Sequence, residues 1–584
     1  MDISVDRIRI FQIIFLIAVA AIVLRLFYWQ FIAKVQGNFN SYATEGILPV
    51  SRGEIFTSDG FPLVTNQEAF LIYAKPYEIK NNGQKIAQQL APFLISEKYA
   101  TGEAQITDEI KRQKEEAIKT KEKDLQEKLS NKNLFWVQLA RKIPLEAKIK
   151  IQSAKITGLG FEKDDRRFYP EASMAAQLLG FVGSDKFGQD TGYFGLEGYY
   201  DRQLRGKPGR AQQEKDPFGF PILVRSYRSI EPQKGASLYL AIDRSIQFKV
   251  EENLRQAVEK YGAKDGTVVV ENPKTGRILA MATYPTYNPK LFSEFDQTIY
   301  KNPAVADTFE PGSIFKLITM SAAMDLGLVN PNTRCDICGG PRQIGGFEIS
   351  TWNKKYYPDS TMTEIIVHSD NVGMTYVAEK LQTDKFYDYI TKFGFGAKTG
   401  IDLQEESPGS IRPKKDWKPI DLVTASFGQG IAVTPIQMVQ AVSVIANGGK
   451  LLTPKIAYKT KDGQKEEKVL PDDEKQVISP KTASQITEMM VAAVENGEAH
   501  AYAPRGYRIA GKTGTAQIPV AGHYDPDKTI ASFVGFAPAD DPKFVMLVRF
   551  NQPSSSPFGS ETAAPTFFEI AKELFNYFGV LPTG

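Results

Sequence analysis

The chain is predicted to be α+β: a single N-terminal transmembrane helix, an elongated non-catalytic pedestal module, and a catalytic domain whose antiparallel sheet is flanked by helices. Three observations carry this prediction. One apolar stretch near the N-terminus is long enough to cross a bilayer. Further on, a strand-like run at 238–243, a helical segment at 245–260 and a hairpin pattern at 267–283 follow one another, with more strand-like runs near the C-terminus. Finally, Ser313-Ile-Phe-Lys316, Ser369-Asp-Asn371 and Lys512-Thr-Gly-Thr515 occur in that order. The trio describes an acyl-serine enzyme that uses lysine and serine where a protease uses histidine and aspartate.

The apolar stretch runs uncharged from Ile10 to Leu24 and resumes after Arg25 through Phe31, together about the 20 residues a bilayer needs. Arg25 can snorkel at the far interface, where Phe27, Tyr28 and Trp29 suit the headgroup belt. No small-x-small cleavage site follows, so the segment reads as an uncleaved anchor at 10–31 rather than a signal peptide. Arg7 and Arg9 predict a cytoplasmic tail at 1–9, diluted by Asp2 and Asp6, with everything after Phe31 extracytoplasmic.

Breaks in pattern divide the remainder into a pedestal at 32–232 and a catalytic domain at 233–584. Within the pedestal, the Lys- and Glu-rich stretch near 103–130 reads as a solvated helix face. In the catalytic domain, the polar insertion 459–476 reads as a surface loop and 565–579 as a closing amphipathic helix, with no second membrane span. A chain of 584 residues exceeds one domain, and 42% hydrophobic with 24% charged residues is a globular composition. A net charge of +3 is too small to argue for nucleic acid, and none is expected as a partner. The histidines His368, His500 and His523 are scattered and two cysteines cannot complete a zinc site, so no metal and no cofactor are expected. Cys335 and Cys338 allow a structural disulfide, free thiols or, least in keeping with the context, a redox pair. His368, adjacent to Ser369, is read as structural.

Chance has to be weighed for motifs this short. No other Ser has Lys three residues on and no other Ser-x-Asn occurs, but Lys-Thr-Gly recurs at 274–276 and 398–400. The first recurrence sits in a hairpin turn and the second in a loop-like stretch; only 512–514 lies in a strand pattern. The residue types then follow from chemistry. A serine hydroxyl needs a base, and a lysine serves when burial or a nearby cation depresses its pKa. Lys316, one helical turn past Ser313, shares its face. Glu310-Pro311-Gly312 predicts a helix start, placing the Ser313 N–H where it can form half an oxyanion hole. Gly514 is expected to clear space for a substrate backbone and Thr515 N–H to be the second donor. Lys512 is expected to depress the pKa of Lys316 and to anchor a substrate carboxylate. Ser369 is expected to relay a proton to the leaving amine, and Asn371 to bind a substrate amide.

These residues carry a resemblance to the class B penicillin-binding proteins, monofunctional peptidoglycan D,D-transpeptidases of the division or elongation type. Phe427-Gly-Gln-Gly430, Val433-Thr-Pro-Ile-Gln437 and Ala446-Asn-Gly-Gly449 resemble the family's transpeptidase domain. Upstream, Arg166-Arg-Phe-Tyr-Pro170 and Gly195-Leu-Glu197 resemble its dimerisation-type module, as does Arg52-Gly-Glu-Ile55 with Asp59-Gly60. Thr57 and Ser58 stand where the family usually has Asp and Arg. The resemblance implies the serine β-lactamase/penicillin-binding fold and a substrate-binding stretch at Thr513, Gly514 and Thr515. It implies an enzyme that cross-links stem peptides of lipid II-derived nascent glycan through an acyl-serine intermediate and is acylated by β-lactams. It also implies a bacterial inner-membrane location, and a polytopic glycosyltransferase and other cell-wall complex proteins as partners. The alternatives are a scaffold that mainly activates that glycosyltransferase, or a D,D-carboxypeptidase. A β-lactamase would need a deacylating Glu motif that is not recognisable here, a β-lactam sensor more membrane spans, and a bifunctional enzyme a glycosyltransferase motif within 32–230.

Overall fold

The computed structural model describes residues 5–28, 30, 43–79, 83–95, 108–214, 228–469, 474–520 and 523–582. They fall into two compact units, one of residues 1–50 with 207–233, the other of 51–206 with 234–584.

In the smaller unit the helix α1, Val5–Phe27, is long and apolar enough over Ile8–Phe27 to cross a membrane. Its apolar side chains are exposed all round, as in a helix whose solvent is lipid rather than water. Trp29 and Phe31, the far end of the expected span, lie outside the described residues. The unit also holds a small antiparallel sheet in which 209–214 pairs with both 43–48 and 228–230.

In the larger unit, helix α2 (Arg244–Tyr261) begins where Asp243 caps the Ser245 and Ile246 N–H groups and ends at Gly262, whose φ of 60° is the left-handed C-cap that glycine adopts without strain. The hairpin β1 (Asp265–Asn272) and β2 (Arg277–Tyr284) follows as expected. Helices α3 (Lys316–Asp325), α4 (Met362–Val367), α5 (Asn371–Lys392), α6 (Pro435–Ala446) and α7 (Pro480–Asn496) come next. Strands β3 (Ala510–Val520), β4 (His523–Ala537) and β5 (Phe544–Asn551) and the closing helix α8 (Ala563–Phe578) complete the chain. The five strands form one antiparallel sheet in the order β2-β1-β5-β4-β3.

Residues on opposite faces of this sheet feed two cores, because strand side chains alternate. Val268, Val270, Met546 and Val548 pack with Val250 and Leu254 of α2 and Phe567 and Phe568 of α8. Val269, Val545 and Leu547 pack instead with α3 and α5 to α7. Both faces are covered, so the strands read as continuous apolar runs rather than alternating ones.

Upstream residues share a second sheet with downstream ones: 465–468, 457–462, 237–240, 55–56, 62–67 and 166–168, in that order. The insertion at 459–476 is therefore not simply a loop. Residues 457–462 pair with 237–240 and fold into a hairpin with 465–468, while 470–473 lie outside the described residues. Its Lys and Glu residues misled because a charged edge strand, which discourages pairing with other chains, looks like a loop in composition. The helix Asp108–Ser130 buries Leu125 and Leu129 and leaves its charges mostly exposed, as expected of a solvated face, while 103–107 lie outside the described residues.

The signatures at 52–55, 166–170 and 195–197 meet at one buried ion cluster. Arg52 donates to Glu197 at 2.7 Å and to Asp201 at 2.8 Å, and Arg167 pairs with the other oxygen of the fully buried Glu197 at 2.7 Å. Thr57, which departs from the family pattern, keeps a pinning role: its hydroxyl contacts Asp59 and accepts from Phe61 N–H. Cys335 and Cys338, both buried, are joined as a disulfide.

Candidate active site

Ser313 lies in a 3₁₀ turn, Gly312–Phe315, that runs directly into α3 at Lys316. Residues three apart eclipse in a 3₁₀ turn, so Ser313 and Lys316 come to one side more closely than an α-helical start would bring them. The turn is held from both flanks. Phe309 and Val433 exchange backbone hydrogen bonds of 2.9 Å, Gly312 N–H donates to Gly428 O at 3.0 Å, and Gly430 N–H donates to Glu310 at 3.0 Å. A Cβ on Gly428 would stand 2.2 Å from Gly312 O, so the Phe427–Gly430 motif is spent on backbone approach to the Ser313 turn. Val433-Thr-Pro-Ile-Gln437 is the start of α6: Thr434 and Gln437 form a reciprocal capping box with Pro435 in the first turn.

Ser369 sits between two capped helices. Thr361 and Glu364 box the start of α4, and Asp370 accepts from Val372 and Gly373 N–H at 2.7 and 3.1 Å to open α5. The middle residue of Ser369-Asp-Asn371 is thus a helix cap, a role the sequence reading did not assign. Ser369 itself has φ 56°, an uncommon conformation for a side-chain-bearing residue. It turns both polar atoms of Ser369 toward the lysines. Lys316 Nζ is 2.5 Å from Ser369 O and 3.3 Å from Ser369 Oγ; Lys512 Nζ is 3.0 Å from the same Oγ and 3.2 Å from Thr513 Oγ1. Asn371 Nδ2 donates to Ser350 O at 3.2 Å.

Lys316 is fully buried and Lys512 nearly so. Burial first, and then the Lys512 ammonium beside it, hold Lys316 well below the ordinary lysine range, while Asp370 and Glu498 act in the opposite sense. Burial pushes Lys512 down to about 8, again against Glu498.

Above this pair opens a cleft of about 450 Å³ whose walls include Ser313, Ser369, Asn371, Thr513, Thr515 and Glu498. Thr513, Thr515 and Gln517 reach it at the period of a strand, from β3, the edge strand of the sheet. Gly514 does not. A Cβ there would meet Ser532 Oγ at 2.4 Å, Ile314 Cγ2 at 3.0 Å and Pro311 O at 3.2 Å, so its missing side chain makes room for the Ser313 turn and β4 rather than for a substrate. Thr515 Oγ1 accepts from Gly559 N–H at 3.0 Å. His368 stacks on Tyr357 with centroids 4.0 Å apart, in keeping with a structural role. Of the other Lys-Thr-Gly runs, 274–276 turns the β1–β2 hairpin and Thr399 is bonded within a loop to Glu406.

Glu498, Trp352 and Phe558 also line the cleft and were missed from sequence. They lie on connecting segments, exposed and without periodicity, and carry no signal apart from the nearness of Glu498 to the start of β3.

Residues 266–573 match the penicillin-binding protein transpeptidase domain, and residues 47–240 match the penicillin-binding protein dimerisation domain. The chain is 35% identical to stage V sporulation protein D of Bacillus subtilis, across 91% of this chain and 79% of that protein. It is 32% identical to the probable peptidoglycan D,D-transpeptidase PbpC of Pseudomonas aeruginosa, across 95% and 92%. Among solved structures, penicillin-binding protein 3 of Mycobacterium tuberculosis, complexed with aztreonam, superposes with a TM-score of 0.68 at 26% identity, over 92% of this chain and 98% of that one. With the expected fold, the ordered motifs around one cleft and these matches in hand, the chain belongs to the penicillin-binding protein family, as a serine-type peptidoglycan transpeptidase with an N-terminal dimerisation domain.

Proposed function

We propose that Ser313 is the nucleophile of a D,D-transpeptidase and Lys316 its base, with Ser369, Lys512 and Asn371 completing the site. The single observation that carries this is the sharing of Ser369 Oγ by two buried lysines, at 3.3 Å from Lys316 and 3.0 Å from Lys512. A lysine whose basicity is lowered by burial and a neighbouring cation gives up its proton more readily than a free lysine, and in its neutral form it can act as a base. As a neutral amine it has two N–H donors, matching the carbonyl and hydroxyl oxygens of Ser369, and one lone pair left for the Ser313 proton.

In the forward half-reaction Ser313 Oγ attacks the carbonyl carbon of the penultimate D-Ala of a donor stem peptide while its proton passes to Lys316. The oxyanion is received by the N–H groups of Ser313 and Thr515. Ser369 hands its hydroxyl proton to the departing D-Ala amine and is reprotonated from the lysine side. Lys512, Thr513 and Thr515 hold the terminal carboxylate and Asn371 a side amide of the stem. An amine of a neighbouring stem then takes the acyl group by the reverse path, and β-lactams acylate the same serine.

The domain division at 232/233, the N-terminus in the cytoplasm and the catalytic domain outside the bacterial inner membrane complete the reading, as does a polytopic glycosyltransferase as membrane partner. Among the described residues, the one helix long and apolar enough to span a membrane lies near the N-terminus and supports the anchoring. The test is intact-mass spectrometry of the purified chain with a penicillin. One covalent adduct on the wild type, absent from Ser313→Ala and slowed by about 10²-fold or more in Lys316→Ala, is expected for loss of a nucleophile and of its base. An adduct that survives Ser313→Ala refutes the assignment.

A further inference from the structure

Among the described residues lining the cleft, Glu498 is the one carboxylate. It is exposed, stands two residues past the end of α7, which packs into the core, and is followed by the buried Ala499, which anchors it at the rim. Its charge favours the protonated forms of both Lys316 and Lys512. Ser369, on whose hydroxyl both lysines converge, lines the same cleft as Glu498, so the carboxylate and that hydroxyl face one space.

A cleft shared with Ser369 has a definite meaning in a two-step acyl transfer. The leaving amine of the first step departs where Ser369 can protonate it. By microscopic reversibility, the attacking amine of the second step enters along the same path. The amine arrives largely as an ammonium ion, because an alkyl ammonium has a pKa well above neutral, and it must lose a proton before it can attack. A carboxylate at the rim, open to solvent, is the group that attracts a cation there and accepts that proton; Lys512, as a carboxylate anchor, is itself a cation, and Lys316 is occupied with the proton that returns to Ser313.

We infer that Glu498 is the acceptor-recognition residue of this transpeptidase, binding the ammonium of the acceptor stem beside Ser369 and taking its excess proton. The inference rests on the proposed roles of Ser313 and Ser369. The step balances as follows. Of the three ammonium protons one goes to Glu498, one returns by way of Ser369 and the lysines to Ser313 Oγ, and one stays on the new amide. The nitrogen bonds to the acyl carbon as the ester C–O bond breaks, and Glu498 then releases its proton to water.

The experiment follows the full-length chain in detergent with a thioester donor that acylates Ser313, and measures how the acyl-enzyme partitions between an added acceptor and water. D-Alaninamide supplies a cationic amine and D-lactamide a neutral hydroxyl of nearly the same shape. In Glu498→Gln the ratio of amide product to hydrolysis product with D-alaninamide is expected to fall about tenfold, the equivalent of ~1.4 kcal/mol. Glu498→Asp should recover part of that loss, and the ester-to-hydrolysis ratio with D-lactamide should not move. An unchanged amide ratio on a variant that still forms the Ser313 adduct overturns this inference and leaves the site reading intact. Equal losses with both acceptors assign Glu498 a shape role, and a fall in hydrolysis alone assigns it to water activation; either overturns the inference. Failure of the wild type to form the Ser313 adduct overturns the site reading and the inference together.

Discussion

Gly514→Ala separates two explanations of the glycine in Lys512-Thr-Gly-Thr515, room for substrate and room for the protein itself. The new methyl would point at Ser532 Oγ, 2.4 Å away, with Ile314 Cγ2 at 3.0 Å and Pro311 O at 3.2 Å. Ser532 and Ile314 are buried, so neither can swing into solvent, and Gly514 pairs directly with Ser532 in the β3–β4 ladder. Overpacking of this kind costs about 1–3 kcal/mol and moves backbone. Here the element free to move is β3, an edge strand, and its displacement opens the gap between Ser313 and Thr515, the two residues proposed to bind the oxyanion. A misplacement of ~1 Å at such a point lowers the rate by about 10²-fold. Thermal unfolding and the time course of penicillin acylation, followed by intact mass, are therefore expected to worsen together. Ser532→Ala in the same chain removes the nearest atom and should restore most of the stability and part of the rate. Slow acylation with an unchanged melting temperature, not relieved by Ser532→Ala, would refute this reasoning and return Gly514 to the substrate.

Two further perturbations test the charges. Lys512, pushed down to about 8 by burial, loses its proton as pH rises through that value, so its carboxylate anchor is present below pH 8 and fades above it. The second-order rate of acylation by a penicillin should fall on the alkaline side in the wild type, and Lys512→Arg, which stays charged, should move that fall to higher pH even at a lower plateau; an alkaline limb unmoved by Lys512→Arg contradicts the anchor. Glu271, in strand β1, is buried, its one bonded oxygen accepting from Ser443 at 2.6 Å, and burial raises its carboxyl to about 7 from an unfolded value of 4.5. The native state therefore binds the proton more tightly, and the stability it contributes is complete at low pH and lost as pH rises through about 7. Relative to Glu271→Gln, the wild type should lose on the order of 3 kcal/mol between pH 4.5 and 8 in denaturant unfolding; parallel pH profiles for the two proteins would show that Glu271 is ionised in the fold.

What could be read from the residues was whatever is written locally. Helix α2 was legible as a helical segment following the strand-like run 238–243, and the β1–β2 hairpin by Asn272-Pro-Lys-Thr-Gly276 between apolar runs. Ser313 and Lys316 were legible because nucleophile and base share one turn. The rest depends on contacts between distant residues. Nothing within five residues of Ser369 says that Lys316, 53 positions away, and Lys512, 143 positions away, will converge on its hydroxyl. Gly514 was legible as a glycine but not in its purpose, because the atoms that exclude a Cβ belong to Ser532, Ile314 and Pro311. The pairing of 457–462 with 237–240 was hidden for a similar reason: one partner lies far upstream and the other is the charged edge strand 465–468, so neither shows in the local composition.

The convergence on Ser369 also accounts for the length of chain devoted to so small a site. Two lysine amines within hydrogen-bond reach of one hydroxyl repel each other when both are protonated, and burying either charge is costly. Left to itself such a turn would relax outward. It is held by the capping box of α4 on one side and the Asp370 cap of α5 on the other, with both helices packed into the same core as α3 and α7. The Ser313 turn is held in turn by Gly428, Glu310 and Val433. The residues between the motifs thus supply the rigidity against which the lysine pair is compressed, and the lowered basicity of Lys316 is a property of that frame rather than of any residue next to it in the chain.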